Sequence, residues 1–165
     1  MQLTSILLNA LKASAASATA AQTVLGKKPP RRSCYERAPQ SGRFDLNVTI
    51  VYSPALYFDV PRERLRRGGP CTLVAKFPAN YPIVSSGDDL VNVVAASGAD
   101  DGAVVGVLRF VSAPNAPTFT VVGTFECDRV MDYQLELVDQ GTEANWVSFE
   151  QDEDAGLFLE IGDSC

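Results

Sequence analysis

Val104-Val105-Gly106-Val107-Leu108 and Thr118-Phe119-Thr120-Val121-Val122-Gly123-Thr124-Phe125, joined across Ser112-Ala113-Pro114-Asn115-Ala116-Pro117, are the stretch that decides the fold. Both runs are apolar and strand-like, and each carries a glycine in its interior, at Gly106 and Gly123. Glycine weakens a strand, so its presence there marks a bulge, a bend or the close approach of another backbone. A turn-rich segment, Gly98-Ala99-Asp100-Asp101-Gly102-Ala103, leads into the first run. The pattern is that of a small, tightly curved β-structure. Nothing in it pairs a nucleophile with a base or gathers a set of metal ligands.

Outward from this stretch the chain keeps a period of two. Phe44, Leu46, Val48 and Ile50 alternate with Asp45, Asn47 and Thr49, which predicts a half-buried strand. Leu56-Tyr57-Phe58-Asp59-Val60 predicts a second, stopped by Pro61, and the charged, glycine-containing run from Arg62 to Pro70 reads as an exposed loop. Further strands are expected at 71–77, 90–95, 104–111, 118–125, 133–138, 146–149 and 157–161. Many short strands separated by turn signals define a mainly β class, a small curved β-barrel or sandwich.

The first 43 residues read as a separate N-terminal helix and extended arm, with residues 44–165 as the β-rich body. Leu3, Ile6, Leu7, Ala10 and Leu11 recur at helical spacing opposite Gln2, Ser5, Asn9 and Lys12, which is an amphipathic docking face. The same residues also read as a secretory signal, a short apolar run followed by small residues at Ser17–Ala21, although no positive charge precedes it. Lys27-Lys28-Pro29-Pro30-Arg31-Arg32 follows as a stiff basic hinge, since two prolines forbid helix continuation. It reads either as a solvated linker or as a contact with nucleic acid or with an acidic partner surface. No run approaches the ~20 apolar residues of a membrane span, so no membrane partner is expected.

Composition narrows the chemistry. The 165 residues carry 20 acidic and 14 basic side chains, a formal charge of −6, which argues against a nucleic-acid surface over the whole protein. Histidine is absent. That removes the usual general base near neutral pH, the imidazole-dependent triads and the commonest ligand of zinc and copper. Cys34, Cys71, Cys127 and Cys165 lie far apart, unlike the paired knuckles of a zinc site. They read as reduced, buried small hydrophobes, or as two disulfides with three possible pairings. Asp88-Asp89 and Asp100-Asp101 match no calcium loop and read as turn formers, as does Gln151-Asp152-Glu153-Asp154. Asn47-Val48-Thr49 fits the glycosylation sequon but lies inside a predicted strand. Trp146 reads as a core or subunit-interface anchor. No catalytic residue, cofactor or metal site is expected, and the chain is not expected to be an enzyme.

The region from residue 78 to 130 resembles a known family. The strand Asp89-Leu90-Val91-Asn92-Val93-Val94, then Asp101-Gly102-Ala103-Val104-Val105-Gly106-Val107-Leu108, then Gly123-Thr124-Phe125 followed by the acidic Glu126, is similar to the head decoration proteins of tailed bacteriophages, lambda type. Tyr81-Pro82-Ile83-Val84 stands where that family has a Pro-plus-apolar lead into a strand. The resemblance implies a non-enzymatic virion protein, assembled in the host cytoplasm, that binds the outer face of the capsid and stabilises the head. It further implies a homotrimer on the major capsid protein, an arm (Leu3, Ile6, Leu7, Leu11, Lys27, Lys28, Arg31, Arg32) that meets the shell, and a surface shaped by Gly102, Gly106, Gly123, Phe125 and Trp146. Residues 1–70 have no counterpart in the family and 131–165 depart from it. The even cysteine count, the Ala-rich N-terminus and the sequon point instead to a secreted or cell-surface disulfide-containing β-sandwich that binds or adheres.

Overall fold

The structure, a computed structural model, describes residues 35–39, 44–49, 52–66, 68–139 and 145–162. The expected amphipathic helix and the basic hinge, with Leu3, Ile6, Leu7, Leu11, Lys27, Lys28, Arg31 and Arg32, lie outside the described residues. What is described is mainly β: three antiparallel sheets that do not close into a barrel.

Sheet A runs β1 (Tyr35–Arg37), β11 (Gly156–Ile161), β4 (Pro70–Phe77), β8 (Thr118–Glu126). Sheet B runs β2 (Phe44–Thr49), β10 (Trp146–Gln151), β5 (Ile83–Ser86). Sheet C runs β3 (Ala55–Asp59), β9 (Val130–Leu137), β6 (Val91–Ala95), β7 (Val104–Leu108). Two strands go beyond the alternating pattern. β5 is short and only half-buried, and β1 lies in the stretch read as arm, where it pairs with the last strand through Tyr35↔Ile161 and Arg37↔Leu159. The charged run after Pro61 is not wholly irregular, for it holds one helical turn, α1 (Arg62–Leu65).

Alternation does the folding. Met131, Tyr133, Leu135 and Leu137 of β9 point inward while their neighbours stay half-exposed, and Leu56 and Phe58 of β3 do the same. They join Val91 and Val93 of β6, Leu73, Ala75 and Phe77 of β4, and Leu157, Leu159 and Ile161 of β11 in one hydrophobic cluster. Aromatic edges lock it: the Phe77 and Phe149 rings meet edge to face at 5.0 Å, with Phe110 4.7 Å from Phe149. Sheet A is buried on its second face too, at Val74 and Phe158, where the Lys76 ammonium sits 4.0 Å over the Phe158 ring and bonds the Glu36 carboxylate of β1.

The two internal glycines mark bulges, as their placement in apolar runs implied. Along β4 and β8, Leu73 opposes Gly123 and Val74 opposes Val121, leaving Val122 as the extra residue. Along β6 and β7, Val93 opposes Gly106 and Val94 opposes Val104, leaving Val105 extra. These are the end strands of sheets A and C, and the bulges meet each other. A Cβ on Gly106 would stand 2.7 Å from the Val122 carbonyl oxygen, and one on Gly123 would stand 2.9 Å from that of Val105. Only glycine at both positions lets the two backbones come this close.

Candidate functional site

Beside the meeting bulges lies a pocket of about 410 Å³. Its walls come from three consecutive pieces of chain: the β6–β7 hairpin from Ala95 to Asp100, the end of β8 with Phe125 and Glu126, and the β8–β9 turn running into Met131, Asp132 and Tyr133. Val105, the extra residue of the β7 bulge, completes the lining.

Local chemistry fixes each wall. The hairpin closes through Ala95 N–H to the Ala103 carbonyl at 2.9 Å and Gly102 N–H to the Ala95 carbonyl at 2.8 Å, with Gly102 at φ +79°. Ala96 N–H donates to the Asp132 carbonyl at 2.8 Å, which ties the hairpin to β9. The β8–β9 turn is held by the Cys71–Cys127 disulfide, so the turn bearing Asp128, next to the Glu126 end of β8, is stapled to the start of β4. The reading of these two cysteines as reduced thiols is corrected here. Register explains the bond, because Cys71 opposes Phe125 and so stands beside the last residues of β8.

Four acidic residues line the pocket, Asp100, Glu126, Asp128 and Asp132, and among the described residues no lysine or arginine does. They do not chelate: among the described residues no group of three His, Cys, Asp or Glu is close enough to hold a metal ion. Burial raises the Asp132 carboxyl above the usual aspartate range, opposed by a backbone hydrogen bond from Tyr133. Tyr133 forms the inner wall. It is only 2% exposed, and its hydroxyl is a buried polar group without a hydrogen-bond partner among the described residues. Burial first, and the charge of Asp100 second, push that phenol well above the ordinary tyrosine range.

Of the residues singled out in the sequence, Phe125 lines the pocket, its ring 5.9 Å from that of Tyr133. Gly106 and Gly123 set the strand junction beside it, and Gly102 closes the hairpin that walls it. Trp146 is elsewhere, on β10, where it opposes Thr49 and Ser86. Asp100 was read as a turn former and is one, its carbonyl accepting from Ala103 N–H at 2.8 Å, and it also lines the pocket. Tyr133, Asp132 and Asp128 carried no signal in the sequence, since each belongs to an ordinary strand or turn. Their convergence is a product of pairing β9 between β3 and β6.

The fold and the pocket define a class: a disulfide-stapled, three-sheet β module with an acidic cleft at a sheet junction. No protein-family model, curated protein or solved structure matches the chain.

Proposed function

We propose that this chain is a non-enzymatic binding module of an oxidising compartment, secreted or displayed at a cell surface. The observation that carries this reading is the Cys71–Cys127 disulfide, which closes a span of 56 residues and braces the turn at the pocket rim. Structural disulfides persist outside the reducing cytosol and are rare within it. A pocket of this volume, with a few converging polar groups, suits recognition of a small group. Fractionation of the producing cells, followed by alkylation of the denatured, unreduced protein, tests the reading. The chain is expected in the medium or at the surface with Cys71 and Cys127 unreactive; a cytosolic chain alkylated at both would contradict it.

A second reading is a phage head decoration protein that binds the major capsid protein as a homotrimer. Its support is the pair of glycine bulges, because Gly106 and Gly123 are the residues on which the resemblance rests and both sit where strand edges meet. The disulfide ranks it second, since a virion protein assembled in cytoplasm is expected to keep free thiols. Cosedimentation of the chain with expanded capsid shells, at one trimer per local threefold position, is the outcome that would reverse this order.

A further inference from the structure

We propose that Cys34 and Cys165 form a second disulfide, which clasps β1 to β11 at the end of sheet A where Cys71–Cys127 clasps β4 to β8. This rests on the oxidising-compartment reading and extends it to the remaining two cysteines. The strand register carries it. Tyr35 of β1, Ile161 of β11, Cys71 of β4 and Phe125 of β8 stand in one row across the sheet, because each is the Cα partner of the next. Every strand of the sheet then has one cysteine at that same end: Cys34 directly precedes Tyr35, Cys71 is in the row, Cys127 is two residues past Phe125 and Cys165 four past Ile161. Cys71 and Cys127 belong to neighbouring strands and are joined. Cys34 and Cys165 belong to the other neighbouring pair, just outside the described residues. With the first bond closed, no other pairing is left within the chain. Reach permits this one. Cα partners on adjacent antiparallel strands lie ~5 Å apart, and a disulfide joins Cα atoms about 4.4–6.8 Å apart. Gly162 keeps β11 beside β4 through its N–H to the Pro70 carbonyl at 3.0 Å, and its φ of +119° allows the chain to turn there. From Gly162 the three residues to Cys165 extend up to about 10 Å, enough to meet a cysteine on the facing strand. A small disulfide such as oxidised glutathione balances the chemistry. One thiolate opens its S–S bond to a mixed disulfide, the second thiolate displaces the remainder, and the two electrons and two protons of the cysteines leave on two glutathione molecules. The bond closes residues 34–165 into one ring and fixes where the preceding segment leaves the body.

Trypsin separates the four cysteines into four peptides, 33–37, 68–76, 110–129 and 130–165, so one peptide map reads the pairing. The full chain, taken from its producing cells, is alkylated before any reduction, digested and mapped by mass spectrometry. The expected result is 33–37 joined to 130–165, and 68–76 joined to 110–129, in a chain that runs as a monomer without reductant. Cys165→Ser should open Cys34 to alkylation while 68–76 stays joined to 110–129, and it should melt several degrees below the parent. Cys34→Ser should melt as Cys165→Ser does and the double variant no lower, since all three lack the same bond. Alkylation of 33–37 and 130–165, a link from either to another peptide, or a link found only in a dimer that reductant splits would each overturn the proposal. A double variant that melts with the parent would overturn the clasp as well. Cys34 and Cys165 alkylated while Cys71 and Cys127 remain joined strikes this inference and leaves the module reading standing. Cys71 and Cys127 alkylated while 33–37 is joined to 130–165 counts against that reading's own bond and leaves this one; four alkylated cysteines remove both.

Discussion

Two glycines and one tyrosine carry most of the meaning at the scale of single residues. Each glycine faces the carbonyl of the opposite bulge at a distance no side chain tolerates, so Gly106→Val and Gly123→Val must push a backbone aside. Each is expected to cost about 2 kcal/mol or more in denaturant unfolding, against roughly 1 kcal/mol at an ordinary strand site. Melts unchanged in both variants would make the junction incidental. The Tyr133 hydroxyl has no described partner, so Tyr133→Phe removes an uncompensated group and should leave the free protein as stable or more stable. Asp132 gives a pH signature. Its carboxyl is raised by burial, so the folded chain holds this proton more tightly than the unfolded chain does. The group therefore favours folding at low pH and opposes it once pH passes its folded pKa. Asp132→Asn should accordingly melt higher than the parent at neutral pH, with the gap closing on acidification into the carboxylate range; a lower-melting variant at neutral pH would contradict the assignment.

Elements are where the sequence was most and least legible. Alternation exposes β2 directly, apolar runs between turn signals expose β3, β4, β6, β7, β8, β9, β10 and β11, and the glycines announced the bulges. β1 was hidden because three residues cannot show a period, and its partner β11 is the last strand of the chain. β5 was hidden because only Ile83 of its four residues packs against the core. The acidic run at the β10–β11 turn was read as solvated, which holds for Glu153 and Asp154 but not for Gln151, which is fully buried. Its side-chain oxygen accepts from Leu157 N–H at 2.8 Å and its amide donates to the Leu157 carbonyl at 3.3 Å. Polarity at 151 therefore serves the backbone, and Gln151→Leu should cost about 1–3 kcal/mol by stranding both groups. Denaturant titration checks it, and an unaffected midpoint would mean that the turn satisfies itself. The disulfide was open in the sequence because cysteine spacing cannot say which strands pair. Reducing Cys71–Cys127 should lower stability by roughly 4 kcal/mol on the loop-entropy estimate for a span of this length. Paired melts with and without reductant measure that loss, and coincident curves would contradict a structural role for the bond.

Across the whole molecule, three sheets share one core, and the end strands of two of them meet at the glycine bulges with the acidic pocket alongside. The family resemblance over residues 78–130 covers this place and implied there a surface shaped for assembly. Four carboxylates from a hairpin, a strand end, a turn and a neighbouring strand become one cleft only after the sheets pair, so no local motif could display them. The central claim is that the Cys71–Cys127 bond marks a module of an oxidising compartment. The most direct measurement is mass spectrometry of the chain taken from its producing cells and alkylated before any reduction. The account predicts Cys71 and Cys127 unalkylated and joined in one cross-linked peptide pair. Both cysteines alkylated in a chain recovered from the cytosol would contradict it.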